Sequence, residues 1–320
     1  MRGEPSLAPS NVVVCIATYR RPTGLKALLE SLNTQEFSGP EPDVTLVVVD
    51  NDPANPAHAT LGDLSALTRW PVIYVAENTR GIVAARNRAL EEAPPDTDFF
   101  VFVDDDETVV ANWLNALITT QLETGATAVQ GPMVPRYETT PPTWIERLRI
   151  FDIGPFQQGE QLGFAATGNS LVDAHFVKAH GLRFDTRFNT SGGEDEEFFG
   201  RVREAGGVIR AAADAIAYDE VPTGRMTCGW VLRRAFRMGN TLGRVALLRR
   251  RGRGLRFLKG FGAAGRGLLY LFLLGPFSKA GRIRGLMEIW RGAGMLAAFV
   301  NFRFAEYSDT LVAGDRDSVT

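Results

Sequence analysis

The chain has 320 residues, 45% hydrophobic and 22% charged, an ordinary globular composition long enough for one large domain or two small ones. Its two cysteines, Cys15 and Cys228, lie far apart, which argues against a disulfide framework or a zinc site and fits a reducing compartment. The net charge of −2 hides an asymmetry, because from Arg225 to Arg291 sixteen Lys or Arg stand against one acid, Glu288.

Taken in order, Asn11 to Ala17 reads as a buried strand that ends in Thr18-Tyr19-Arg20-Arg21-Pro22. Pro22 and Thr23 open an apolar period, Leu25, Leu28, Leu29 and Leu32, that predicts a helix. Val44 to Val49 is a second strand closed by Asp50-Asn51-Asp52-Pro53, and Val72 to Val75 a third. Gly81 to Glu91 has a helical pattern with Ile82, Ala85 and Ala89 on one face and Arg86 and Asn87 elsewhere. Asp98 to Val103 is the fourth strand. Strands alternating with helices predict a parallel sheet with helices on both faces, and such sheets bind ligands beyond the carboxyl ends of their strands. Thr18, Asp50 and Asp104 each fall at that end.

The second half is less regular. Pro132 to Pro142 is proline-rich and reads as a mobile connection; Gln157 to Ala166, rich in Gly and Gln, leads into Thr167-Gly168-Asn169-Ser170. Ser191-Gly192-Gly193 gives way to a helix through Val202, which places Glu194 and Asp195 at a helix N-terminus, where the dipole favours negative charge. From Trp230 onward the chain is rich in Arg, Leu and Gly.

Asp104-Asp105-Asp106-Glu107 carries the most chemical information. Carboxylates packed at a strand end repel one another and resist dehydration unless a cation compensates. Oxygen donors without nearby His or Cys suit Mg²⁺ or Mn²⁺, ions that commonly bridge carboxylates to a substrate's phosphates. Taken alone, the run reads equally well as a solvated acidic turn.

The order of six motifs adds to this. Cys15-Ile-Ala-Thr-Tyr-Arg-Arg-Pro22, Val48-Val-Asp-Asn-Asp52, Asn78-Thr-Arg-Gly-Ile-Val-Ala-Ala-Arg-Asn87, Phe102-Val-Asp-Asp-Asp-Glu107, Thr167-Gly-Asn-Ser170 and Gly193-Glu-Asp-Glu196 follow one another. Together they resemble a family 2 glycosyltransferase of the bacterial exopolysaccharide type, similar to succinoglycan glucosyltransferases, over roughly residues 11 to 240. The resemblance implies a GT-A fold: α/β, Rossmann-like, with a mostly parallel sheet, followed here by a basic helical C-terminal region. It divides the chain into a tail (1–10), a nucleotide-sugar-binding half (11–130), an acceptor- and base-carrying half (131–224), a basic region (225–305) and a second tail (306–320).

By the same resemblance Thr18 and Arg20 line the nucleotide pocket, Asp50 contacts a uracil-type base, and Arg86 helps to hold the base and phosphate end. Asp104 and Asp106 match the outer residues of an Asp-X-Asp motif, Asp104 facing ribose and metal and Asp106 ligating Mn²⁺ or Mg²⁺ directly; Asp105 would point to the other face. Asp195 matches the general base, with Glu194 as the alternate. Arg225 contacts the diphosphate or pairs with a surface acid, and Glu220 is a further metal ligand or a solvated glutamate. Trp144 stacks on an acceptor sugar or is simply packed, and Asn169 shapes the acceptor pocket or is a turn residue. The Gln-X-X-Arg-Trp pattern of processive synthases does not occur in Pro222 to Trp230, which favours single addition.

The expected activity is inverting, metal-dependent transfer of a hexose from a nucleotide-sugar, a UDP-sugar by preference, to a saccharide or polyprenyl-diphosphate-linked acceptor. A sugar nucleotidyltransferase would show a Gly-rich basic loop after the first strand, and Thr18-Tyr-Arg-Arg-Pro22 is not one. A non-catalytic nucleotide-sugar-binding subunit is the remaining rival. Arg249-Arg250-Arg251-Gly252-Arg253 and the apolar run Leu268 to Leu274 suit an anionic membrane surface, with packing against protein as the alternative; no nucleic-acid module is recognisable. Met1 to Ser10 lacks a signal-peptide core and no run reaches the roughly 18 apolar residues of a spanning helix, so a cytoplasmic, peripheral location on the inner membrane face is expected.

Overall fold

The computed structural model describes residues 10–52, 54, 56–189, 191–249, 253–302 and 304. The elements in chain order are β1 (Asn11–Thr18), α1 (Pro22–Leu32), β2 (Asp43–Asp50), α2 (Ala57–Leu61), β3 (Val72–Ala76), α3 (Ile82–Glu92), β4 (Phe99–Asp104), β5 (Glu107–Val109), α4 (Trp113–Thr124), β6 (Ala128–Gln130) and β7 (Met133–Tyr137). There follow α5 (Thr143–Leu148), β8 (Gln161–Leu162), β9 (Asn169–Asp173), α6 (Ala174–Ala179), α7 (Glu194–Glu204), β10 (Ile209–Ala211), β11 (Ala217–Val221), α8 (Cys228–Arg249), α9 (Arg253–Leu273) and α10 (Lys279–Phe299).

The chain divides into two compact units that interleave in sequence. One comprises Met1–Pro135, Asp152–Asn189 and Glu197–Asp219; the other comprises Arg136–Phe151, Thr190–Glu196 and Glu220–Thr320. The sequence reading instead drew consecutive blocks. The tail 306–320, most of the tail 1–10 and Arg250-Arg251-Gly252 of the basic run lie outside the described residues.

The first unit is built on an eight-stranded sheet of order β3-β2-β1-β4-β9-β6-β10-β8. Strands β3, β2, β1 and β4 are mutually parallel, as the alternating pattern predicted. Beyond them β9 runs antiparallel to both β4 and β6. Period-two side-chain alternation explains why β1 is apolar throughout. Val12, Val14 and Ile16 join Leu25, Leu28, Leu29 and Leu32 of α1 in the main core. Cys15 and Ala17 face the other way, toward Arg86 and Ala89 of α3. All four predicted leucines of α1 are buried. Pro132 to Pro142 is not the mobile connection expected of it. It contains β7, part of a second, three-stranded sheet of order β5-β11-β7, where Pro135 is tolerated because β7 is an edge strand.

The second unit is mostly helical. Its core gathers Trp144, Ile145, Phe151, Val221, Met226, Val231 and Ile283. Trp144 is 5% exposed within it, with the Lys279 ammonium 5.7 Å from its ring centroid. Helix α10 packs closely along α8 and α9 because glycines stand at the crossings. A Cβ on Gly294 would lie 2.0 Å from the Phe236 carbonyl oxygen of α8, and one on Gly292 would lie 2.5 Å from the Gly260 carbonyl oxygen of α9.

Candidate active site

Register places the polar residues of the first unit in a row. Thr18 sits opposite Asp50, Ala17 opposite Asp104, and Val103 opposite Asn169. Thr18, Asp50 and Asp104 are thus neighbours at the carboxyl ends of three adjacent parallel strands, where a doubly wound sheet leaves its ligand crevice.

Each acid of the Asp104 to Glu107 turn is partnered within the first unit. Asp104 Oδ1 accepts a 3.0 Å charge-assisted bond from Arg86 Nη2, and the Arg86 side chain is almost wholly buried. Asp105 turns away to the end of β1, where it accepts from the Thr18 hydroxyl at 2.8 Å, the Tyr19 N–H at 3.3 Å and Arg21 at 3.0 Å. Arg21 also donates to Asp106 Oδ2 at 2.8 Å, so Asp105 and Asp106 share one guanidinium. Glu107 is buried and accepts the Asp104 N–H at 3.0 Å.

Burial pushes the Asp105 carboxyl up to about 6 against the pull of Arg21, while nearby Asp106 raises it further. Burial first, and then the charge of Asp104, holds Glu107 well above the usual carboxylate range. The Arg21 guanidinium loses some stability to burial, but Asp106, Asp105 and Asp104 outweigh that and bind its proton more firmly. Gly24 lets α1 approach this turn, since a Cβ there would lie 2.4 Å from the Asp105 carbonyl oxygen.

The neighbouring loops are tied together in the same way. Asp50 is 1% exposed, and its carboxylate accepts from the Asp52 N–H at 2.9 Å, the Ala57 N–H at 2.6 Å and the Tyr74 hydroxyl at 2.6 Å. Asn51 joins the loop after β2 to the loop after β3, donating to the carbonyls of Glu77 and Thr79 and accepting from Gly81 N–H at 2.6 Å. Arg20 has φ 57°, a left-handed conformation that costs a non-glycine residue roughly 1 kcal/mol. Its guanidinium pairs with Asp52 and lies 4.9 Å from the Tyr19 ring centroid, with Arg80 5.5 Å from the same ring. Asn189, distant in sequence, caps the start of α3 by accepting from the Ala84 N–H at 3.1 Å.

Thr18, Arg20, Asp50, Arg86, Asp104 and Asp106 are therefore brought to one sheet edge. Asn169 reaches the same edge but has no exposed surface: its amide accepts from the Trp113 indole at 2.8 Å and donates to the carbonyls of Pro132 and Ala215 at 2.9 and 2.7 Å. It knots the core together instead of lining an acceptor pocket. Trp144, closed into the second unit's core, likewise offers no ring for stacking on a sugar. Arg225, also in that unit, is half-buried with its guanidinium 6.0 Å from the Trp230 ring centroid, and Glu220 is exposed.

Glu194 and Asp195 open α7 as expected. Glu194 is buried, whereas Asp195 is half-exposed and accepts the Glu196 N–H at 2.7 Å. Within the second unit this turn is held to α8. Arg244 donates to the Ser191 hydroxyl at 2.5 Å, and Gly193, at φ 91°, leaves room for Thr241.

Sequence reasoning missed Arg21, Asp52 and the burial of Glu107. The doubled Arg20-Arg21 at the carboxyl end of the first strand was a legible signal for the first. The donor set fits a hard divalent cation: Asp104 and Asp106 provide carboxylate oxygens, and such ions are held by one or two carboxylates together with substrate phosphates. Among the described residues no three His, Cys, Asp or Glu side chains form a ready cage.

Comparison with known proteins agrees with this architecture. The chain is 33% identical over 248 residues, 77% of its length and 78% of the relative's, to the succinoglycan biosynthesis protein ExoM of Rhizobium meliloti strain 1021. Among solved structures it resembles S. aureus TarS residues 1–349 in complex with UDP, with a TM-score of 0.51 and 15% identity over 93% of this chain and 97% of that one. The same protein in complex with UDP-GlcNAc matches with a TM-score of 0.51 and 16% identity over 94% and 97%. At that identity the likeness speaks for the fold, the GT-A arrangement expected from the motifs. Residues 13–181, which contain most of β1, all of β2 to β4 and the whole acidic turn, match the profile of glycosyl transferase family 2, and the chain belongs to that family.

Proposed function

We propose that this glycosyltransferase is inverting, metal-dependent and non-processive, and that it moves a hexose from a UDP-sugar to a saccharide or lipid-linked acceptor in cell-surface polysaccharide synthesis. The observation that carries the donor site is the row of Thr18, Asp50 and Asp104 on adjacent strand ends, with Asp106 beside it on Arg21. The UDP and UDP-GlcNAc complexes of TarS support a uridine nucleotide, and the role of ExoM in succinoglycan biosynthesis supports an exopolysaccharide product.

Asp104 and Asp106 would hold Mn²⁺ or Mg²⁺, which when bound neutralises charge on the diphosphate leaving group. Arg86 fixes the carboxylate of Asp104, and Arg21 that of Asp106, so their positions are set before substrate arrives. Asp195 would take the proton of the acceptor hydroxyl as that oxygen bonds to the anomeric carbon. The carbon–oxygen bond to the diphosphate breaks in the same step, the diphosphate leaves with the electron pair, and the configuration inverts. Glu194, being buried, is the weaker candidate for this proton.

Calorimetric titration with UDP, GDP and dTDP, each with Mn²⁺ and with chelator, tests the donor reading. Metal-dependent binding of UDP that is lost in Asp106→Ala is the expected result. Unchanged UDP affinity in that variant, with and without Mn²⁺, would remove Asp106 as the ligand. Asp195→Asn should bind donor normally and transfer nothing; full activity would move the base to Glu194.

A further inference from the structure

Helix α9 is apolar on the wrong side for a helix in water. Its inward positions are small: Gly260, Ala263 and Gly267 are buried, and a Cβ on Gly267 would lie 2.5 Å from the Gly285 carbonyl oxygen of α10. Its large side chains point out. Leu258 is 66% exposed, Leu268 62% and Phe272 79%, and Phe277, just beyond the helix, is 85% exposed. A surface helix normally buries its large apolar residues and shows polar ones. An exposed apolar strip of this kind marks an interaction surface.

Cations flank the strip. Lys259 and Arg266 on α9 and Lys279, Arg282 and Arg284 on α10 are exposed, and Glu288, the one acid on these two helices among the described residues, is taken by Arg266 and Arg291 at 3.0 and 2.7 Å. From Gly267 to Phe277 no residue carries a charge. We infer that α9 and the turn after it dock this protein on an anionic lipid surface, with Leu268, Phe272 and Phe277 entering the acyl boundary and the Lys and Arg side chains at lipid phosphates. No described helix is long and apolar enough to cross a membrane, so the helix lies along the surface. Charge decides between lipid and a second copy of the chain. Two such cationic faces would repel each other, whereas an anionic leaflet attracts them.

The inference does not rest on the donor-site reading, and its test is separate. The full chain is sedimented with vesicles of phosphatidylcholine alone and of phosphatidylcholine mixed with phosphatidylglycerol, at low and high salt. Binding to the mixed vesicles that weakens with salt is expected. Replacing Leu268 and Phe272 by Ser, both exposed and so compatible with folding, should reduce it by about tenfold or more while helicity and UDP binding stay unchanged. Lys259→Gln with Arg284→Gln should weaken binding to the mixed vesicles and flatten its salt dependence. Equal binding to neutral vesicles, no binding to either, or indifference to the serine substitutions would overturn the inference. So would a concentration-dependent dimer in sedimentation velocity that the serine substitutions abolish, since a second copy would then be the occupant.

Discussion

Gly24→Ala sets two magnitudes against each other. In a helix interior alanine is better than glycine by about 0.8–1.0 kcal/mol, so propensity alone predicts stabilisation of α1. The structure predicts the reverse. The new Cβ would lie 2.4 Å from the Asp105 carbonyl oxygen and 3.7 Å from the Asp106 Cα. A relaxed carbon–oxygen contact is about 3.3 Å or more, so backbone must move by roughly 1 Å. Overpacking of that kind costs about 1–3 kcal/mol, which offsets the propensity gain and leaves a net loss of up to about 2 kcal/mol. The turn that moves carries Asp104 and Asp106, and a displacement near 1 Å in such a site costs up to roughly a hundredfold in function. Urea denaturation would read the first quantity, and calorimetry with UDP and Mn²⁺ the second. A variant as stable as the parent, with unchanged metal-dependent affinity, would refute the close approach as the determinant of turn position. A loss of stability with unchanged affinity would show that the helix yields and the turn does not.

Three further outcomes follow from packing and charge. Asn169→Leu should destabilise the protein by about 2–6 kcal/mol, because it strands the Trp113 indole N–H and the buried Ala215 carbonyl at about 1–3 kcal/mol each, while the Pro132 carbonyl keeps the Ala217 N–H; a denaturant midpoint near the parent's would contradict this. Arg21→Gln should tighten binding of Mn²⁺ alone by up to about thirtyfold, since a unit charge facing a divalent ion at ~4 Å in a water-like dielectric is worth about 2 kcal/mol; isothermal titration decides it, and weaker binding would show that Arg21 orders the carboxylates more than it competes. Gly294→Leu should disrupt the second unit by more than about 3 kcal/mol, because even its Cβ would sit 2.0 Å from a carbonyl oxygen of α8; unchanged helical dichroism on heating would count against it.

What could be read from the sequence was local. The strands β1 to β4, the leucine face of α1 and the polar residues at the strand ends follow from periodicity and composition, which depend on neighbours in the chain. What could not be read depends on partners far away. Nothing near Asn169 states that β9 inserts antiparallel between β4 and β6, or that Trp113 will claim its amide. Nothing beside Glu107 states that it is buried against Gly168, where a Cβ would lie 2.6 Å from Glu107 Oε1. Pro135 concealed an edge strand, and Arg86, placed off the apolar face of its helix, is buried on Asp104. Trp144 was ambiguous in sequence because an aromatic residue in an irregular stretch serves a core or a ligand equally well.

The place of β9 in the sheet has a consequence during synthesis. β4, with the sequence Phe-Phe-Val-Phe-Val-Asp, has β1 on one side and β9 on the other, and β9 ends about 70 residues later. At roughly 5–20 residues per second a ribosome needs about 4–14 s to make that stretch. Through that interval the nascent chain carries an unpaired, strongly apolar strand edge, a template for association with other chains. The span between β4 and β9 is therefore where translation speed and chaperone capture should most affect the yield of folded protein.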